Sequence, residues 1–160
     1  MIAEIGHFCL ILTLVTAFLQ AALPIYGAHK EQTAYMGFAD KAARIQFALL
    51  AASFACLTYS FLASDFSVKL AATHSHTTKP FLYKISGVWG NHEGSILLWT
   101  VMLGLYGFLF SLFSKPLPAK LRARTLAVQA LLGIGFISFV LFTSNPFERL
   151  FPVPLDGLGL

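Results

Sequence analysis

The residue types able to do chemistry are concentrated in one stretch, Trp89-Gly90-Asn91-His92-Glu93-Gly94-Ser95. An imidazole and a carboxylate stand side by side, and Gly90 and Gly94 permit a tight turn around them. Ser95 is the expected N-cap of the helix that follows. Glu93 then lies near the positive end of the helix dipole, which favours its ionised form. Two readings are open. One is a polar turn that anchors a helix start, with Trp89 and Trp99 as packing or interface residues. The other makes His92 and Glu93 part of a functional site at a membrane surface.

The other histidines suggest less. His74 and His76 stand two apart, so on a strand both would face one ion. Two ligands make no site without a third and an outer shell, so they read as solvated loop residues and no metal is expected. His7 follows Glu4 by one helical turn and pairs with it or reaches the interface, a heme or metal role being the alternative. His29 carries no signal. Cys9 and Cys56 fall inside apolar runs, where a thiol behaves as a small hydrophobe. No nucleophile–base pair and no phosphate-cradling glycine loop is present.

Composition states what must position these residues. The chain has 160 residues, of which 57% are hydrophobic and 11% charged, with 16 Phe. Ordinary globular chains carry about 25% charged residues, and disordered ones are poor in aromatics. Both classes are excluded, and an integral membrane protein remains. Residues 5–29, 45–64, 94–114 and 125–147 contain no Lys, Arg, Asp or Glu. Each is long enough for a helix to cross ~30 Å of hydrocarbon at ~1.5 Å per residue. The expected fold is all-α: a polytopic bundle with spans near 5–25, 42–63, 95–114 and 123–143. The first run lacks a basic leader, so it reads as a retained helix and not a cleaved signal. Gln20, Gln46, Ser53, Thr58, Gln129 and Ser138 lie in these spans beside Gly104, Gly107, Gly133 and Gly135. Such residues mark faces that meet other helices, because hydrocarbon cannot satisfy an amide.

The formal charge is +4. The cations sit in short connections and not on one basic face, which argues against nucleic acid as a partner. Lys30, Lys41 and Arg44 fall in one connection, and Lys115, Lys120, Arg122 and Arg124 in another on the same side. Lys69, Lys79, Lys84 and Arg149 are spread over longer polypeptide opposite. Short positive loops stay cytoplasmic, so both ends of the chain and the 64–94 loop are expected in the periplasm of a bacterial inner membrane.

That loop is the informative connection. Asp65 can cap a short element, Phe66-Ser67-Val68-Lys69-Leu70, which alternates as a strand or an interfacial segment would. Phe81, Leu82, Tyr83 and Trp89 make the loop aromatic, as suits the lipid headgroup region or a contact with other protein.

The run Asp65-Phe66-Ser67-Val68, the run Tyr83-Lys84-Ile85-Ser86-Gly87-Val88-Trp89-Gly90-Asn91-His92-Glu93-Gly94-Ser95-Ile96-Leu97-Leu98-Trp99, the opening Met1 to Phe8, Ser144-Asn145-Pro146-Phe147-Glu148-Arg149 and Pro154-Leu155-Asp156-Gly157 together resemble the N-terminal portion of the CcmF family. CcmF is the heme-lyase component of bacterial cytochrome c maturation, and a paralogue serving a multiheme nitrite reductase begins similarly. The resemblance implies a longer protein, of which this chain is a fragment or a split product. It implies a b-type heme between helices, heme received from a periplasmic heme chaperone, and attachment to apocytochrome c held by a thiol-handling maturation subunit. The family's tryptophan-rich segment and axial histidines are implied to lie beyond residue 160, so no heme ligand is assigned here. Where the family shows Asn-Ser-Asn before a proline, this chain has His74-Ser75-His76, which weakens any inherited role for them.

The expectation is therefore the four-span N-terminal module, residues 1–160, of a heme-attachment membrane protein. Trp89, Gly90, His92, Glu93, Gly94, Ser95 and Trp99, with Asp65 second, are expected to shape the loop-to-helix turn and contact partners. The rival readings are a transporter-like subunit for heme or another small molecule, which needs a polar route between spans, and a four-helix structural partner without ligand.

Overall fold

The computed structural model describes residues 1–159. Its helices are α1 (Ile2–Lys30), α2 (Thr33–Leu62), α3 (Lys69–His74), α4 (Phe81–Gly87), α5 (His92–Phe113) and α6 (Ala119–Phe142). The four long ones are each apolar and long enough to cross a membrane. This is the all-α, four-span architecture that the apolar runs require. A helix closes its own backbone hydrogen bonds, which is the condition for entering hydrocarbon.

The helices extend beyond the charge-free runs. α1 continues through Pro24 to Lys30, and α2 starts at Thr33, well before position 42. Residues 26–44 are thus no loop: Glu31, in the left-handed conformation at φ 58°, and Gln32 make the whole turn. Charged residues there sit on helix ends that project past the apolar zone, where water or an ion pair serves them.

α1 packs on α2 and α6, α2 also packs on α5 and α6, and α5 meets α6. Small residues make the close approaches. α1 buries Ala3, Gly6, Ala17, Ala21 and Gly27, and α6 buries Ala123, Ala127, Ala130 and Gly133. Apolar side chains gain little by leaving lipid for a helix surface, so close van der Waals packing of small residues must supply the attraction. A Cβ at Gly104 would come within 2.8 Å of Leu50, which shows how tightly α5 lies on α2.

At the bundle end that holds the N-terminus, the 63–91 connection and the tail after α6 form a cap. One apolar core runs from bundle into cap through Leu10, Leu57, Phe61, Val68, Val88, Leu97, Val140 and Phe147. Phe66 to Leu70 is not a strand. Its only pairing among the described residues is a single antiparallel bridge, Val68 with Arg149, after which the chain coils into α3. The tail then returns over α3, with Leu158 N–H donating to the Ala72 carbonyl at 2.8 Å and Gly159 N–H to that of Ser75 at 3.1 Å. The opposite end carries the Lys120–Glu31 pair at 2.5 Å and the Arg122–Asp40 pair.

Candidate functional site

The turn into α5 is built by Asn91. Its side-chain oxygen accepts the Gly94 N–H at 2.7 Å, and its amide donates to the Gly87 and Val88 carbonyls at 2.8 and 3.2 Å. Asn91, not Ser95, is therefore the N-cap, and α5 begins one turn earlier than expected. Gly94 lies directly against the Val88 carbonyl, where any Cβ would collide, so glycine is what lets the chain close this turn. Ser95 instead donates its hydroxyl to the Trp89 carbonyl at 2.6 Å, tying the lip to the helix.

This turn forms one wall of an open cleft of about 500 Å³, lined by Trp89, Gly90, Asn91, His92, Ser95, Ile96, Trp99 and Phe136. His92 Nδ1 stands 3.2 Å from the hydroxyl of Ser144, and its ring meets Phe139 edge-on at 6.2 Å. Among the described residues Nε2 has no partner. The cleft thus presents two indoles, a phenyl ring and one imidazole nitrogen. It can hold a flat or apolar surface and exchange one hydrogen bond with it. Glu93 and Gly94 do not line it, because successive helical side chains point ~100° apart.

Asp65 belongs to a different place. Its Oδ1 accepts from the Ser67 N–H and hydroxyl, closing a local turn, while the helix that follows is capped at Val68, and Oδ2 lies 3.6 Å from Arg149. Arg149 also binds Glu4 and Ser67, and the Glu4 carboxylate takes the N-terminal ammonium at 2.6 Å. Glu4 therefore does not pair with His7. His7 lies edge-on to Phe147, and its buried Nδ1 has no partner among the described residues. A second cleft of about 530 Å³ runs beside these residues, between Phe8 and Ile11 of α1 and Asn145 to Arg149 of the tail.

His74 and His76 do not converge. His74 Nδ1 lies 3.3 Å from the Leu70 carbonyl, whereas His76 has Thr78 at Nδ1 and Asp156 at Nε2, 2.9 and 3.2 Å away. A helix end followed by a turn splays residues that a strand would align. Asp156 also accepts the hydroxyl and N–H of Thr77, and these bonds hold its carboxyl below the usual carboxylate range. Among the described residues no three His, Cys, Asp or Glu side chains are grouped to hold a metal.

One polar constellation could not be assembled from sequence. In the middle of the bundle Gln46 donates to Gln20 Oε1 at 2.8 Å, and Gln20 donates to the Leu126 carbonyl at 2.9 Å and to Gln129 Oε1 at 3.2 Å. Gln129 closes the chain on the Leu103 carbonyl at 3.0 Å. All four long helices are joined. Each glutamine stood out as a polar residue in an apolar span, but positions 20, 46 and 129 carry no spacing signal of mutual contact.

No family model matches the chain. The cytochrome c-type biogenesis protein ccl1 of Rhodobacter capsulatus is 54% identical over 157 residues, covering 98% of this chain and 24% of that protein. The cytochrome c-type biogenesis protein CcmF of Pseudomonas aeruginosa is 49% identical over 161 residues, covering 100% of this chain and 24% of that one. Among solved structures, cytochrome c heme lyase CcmF superposes with a TM-score of 0.85 at 26% identity, over 94% of this chain and 25% of that one. The chain spans about a quarter of the length of the curated relatives it matches.

Proposed function

We propose that this chain, which matches the N-terminal portion of the CcmF family along its whole length, is the helical frame of a membrane machine attaching heme to apocytochrome c. The observation that carries the reading is agreement of sequence and fold over the same residues. The relatives are cytochrome c-type biogenesis proteins, and the solved neighbour is a heme lyase.

The cap faces the periplasm in this reading. Support comes from the charges: Lys30, Lys41, Arg44, Lys115, Lys120, Arg122 and Arg124 cluster at the opposite end, as the positive-inside rule asks of a cytoplasmic face. The membrane is then the bacterial inner membrane. The cleft at Trp89, His92 and Trp99 is a contact surface for the heme-handling part of the machine or its partners. Those partners are a periplasmic heme chaperone, the thiol-handling maturation subunit and apocytochrome c. The b-type heme takes its ligands from outside these residues. Here the chain's task is to hold shape: Asn91 and Gly94 set the turn, Ser95 ties down the Trp89 backbone, and Ser144 orients the His92 ring. A transporter reading has weaker support, because the in-membrane amides bond one another and helix carbonyls instead of lining an open polar route.

The test is holocytochrome c yield in cells that depend on this protein. His92→Ala or Glu93→Ala is expected to lower the yield more than His74→Ala, at equal membrane levels of the protein. Equal, unimpaired yields for all three refute the assigned role of the turn.

A further inference from the structure

The short helix α4 has no buried residue, although it is held at both ends. Phe81, Leu82 and Tyr83 are 64%, 75% and 66% exposed, an unusual density of bare apolar surface for a segment outside the long helices. In water such a patch is a liability unless something covers it. Its placement indicates what does. α4 lies between the end of α2 and the start of α5, at the level where the apolar runs stop. On its inner side Gly87 meets the Phe61 ring, and the Lys84 ammonium donates to the Ser64 hydroxyl at 2.7 Å. Lys79, just before the helix, donates to the His74 carbonyl at 2.9 Å. Both cations of the segment are thus turned onto the protein.

The apolar surface is also continuous. Trp89 follows α4 and shares its cleft with Trp99 and Phe136, which are 70% and 43% exposed on the spanning helices α5 and α6. Both helices are long and apolar enough to cross a membrane. From these observations we infer that α4 with Trp89 is an in-plane membrane anchor, whose aromatic face inserts among the headgroups and upper acyl chains of phospholipid. Interfacial helices sit about 5–10 Å into that zone, and Trp and Tyr favour it. Insertion here is driven by apolar area and not by attraction to anionic lipid, since Lys79 and Lys84 are engaged inward. The anchor would fix the height of the Trp89 lip, and so of the His92 cleft, relative to the bilayer.

The chain's two tryptophans are Trp89 and Trp99, so W99F and W89F each leave one reporter. Trp99 stands eight positions along from the Asn91 cap, roughly 12 Å deeper at ~1.5 Å per residue. The chain is reconstituted in phosphatidylcholine vesicles brominated either near the headgroups or near the chain ends. Trp89 is expected to be quenched about twofold more by shallow than by deep bromines, with Trp99 shifted toward the deep set. Adding Leu82→Glu to W99F is expected to raise acrylamide quenching of Trp89 about twofold at unchanged helicity, by weakening insertion. Exchanging phosphatidylcholine for phosphatidylglycerol is expected to leave the depth profile unchanged. Acrylamide quenching of Trp89 as free as in the unfolded chain, with no bromine effect, overturns the inference. So does a Trp89 reached by neither quencher when this chain is reconstituted alone, which would mean a second copy packed on that face. A profile that deepens with anionic lipid overturns the charge-independent mechanism.

Discussion

Gln20 is the most informative single perturbation of the bundle. Leu in its place keeps a comparable apolar volume, yet removes three hydrogen bonds, to Gln46, Gln129 and the Leu126 carbonyl. Interhelical side-chain bonds in membranes average about 0.6 kcal/mol each and reach about 1.7. Three of them give a loss of about 2 kcal/mol, roughly 30-fold in the folding equilibrium. Gln46 is 2% exposed, so its stranded amide finds no water and the loss is not offset by rehydration. Gln46→Leu removes one of the same bonds, so the double variant should cost less than the sum of the singles by about that shared bond, on the order of 0.6 kcal/mol. The assay is reversible unfolding of the chain in mixed micelles, followed by helicity, with both singles and the double. A loss below about 0.5 kcal/mol for Gln20→Leu, or strict additivity, refutes the network as a source of bundle stability.

Two further outcomes follow from the cap. Gly94→Ala should destabilise by about 1–3 kcal/mol and lower the melting temperature, since its methyl would enter the Val88 carbonyl. Gly135→Ala, whose Cβ would meet nothing within 4 Å beyond its own helix backbone and chain neighbours, should be tolerated; equal melting of the two variants contradicts the packing argument. Thr77, then the Gly157 N–H and the His76 charge, hold the Asp156 carboxyl low. A folded-state value below the unfolded one gives tail docking that is complete above the unfolded value. It is lost as pH falls through the folded one. Amide protection at Leu158 and Gly159, measured against the intrinsic exchange rate at each pH, should therefore fall in acid below the ordinary carboxylate range. Asp156→Asn should show low protection with no such acid transition; an unchanged transition in that variant assigns the titration elsewhere.

The spans are legible in the sequence because their cause is local. A stretch without charge long enough to cross hydrocarbon has few alternatives to a helix, so runs such as 94–114 announce α5 unaided. Trp89, His92 and Trp99 were legible as a group because turn and helix keep near neighbours together. The cap residue was not. Ser95 and Asn91 are both competent, and in the fold Asn91 takes the Gly94 N–H while Ser95 is bonded to the Trp89 carbonyl. His74 and His76 looked like a pair only on the assumption of a strand, which α3 and the returning tail replaced.

Local pattern, then, determined the number, length and apolar character of the helices, along with the aromatic, polar turn between the second and third spans. Tertiary structure alone decided that Gln20, Gln46 and Gln129 meet, that Arg149 takes Glu4 and Asp65, and that Asp156 reaches Thr77. Hydrophobic length is a property of consecutive residues and can be read from them. The partner of a buried amide or a charge is fixed by which helix faces come together, and that geometry is shared among residues far apart in the chain.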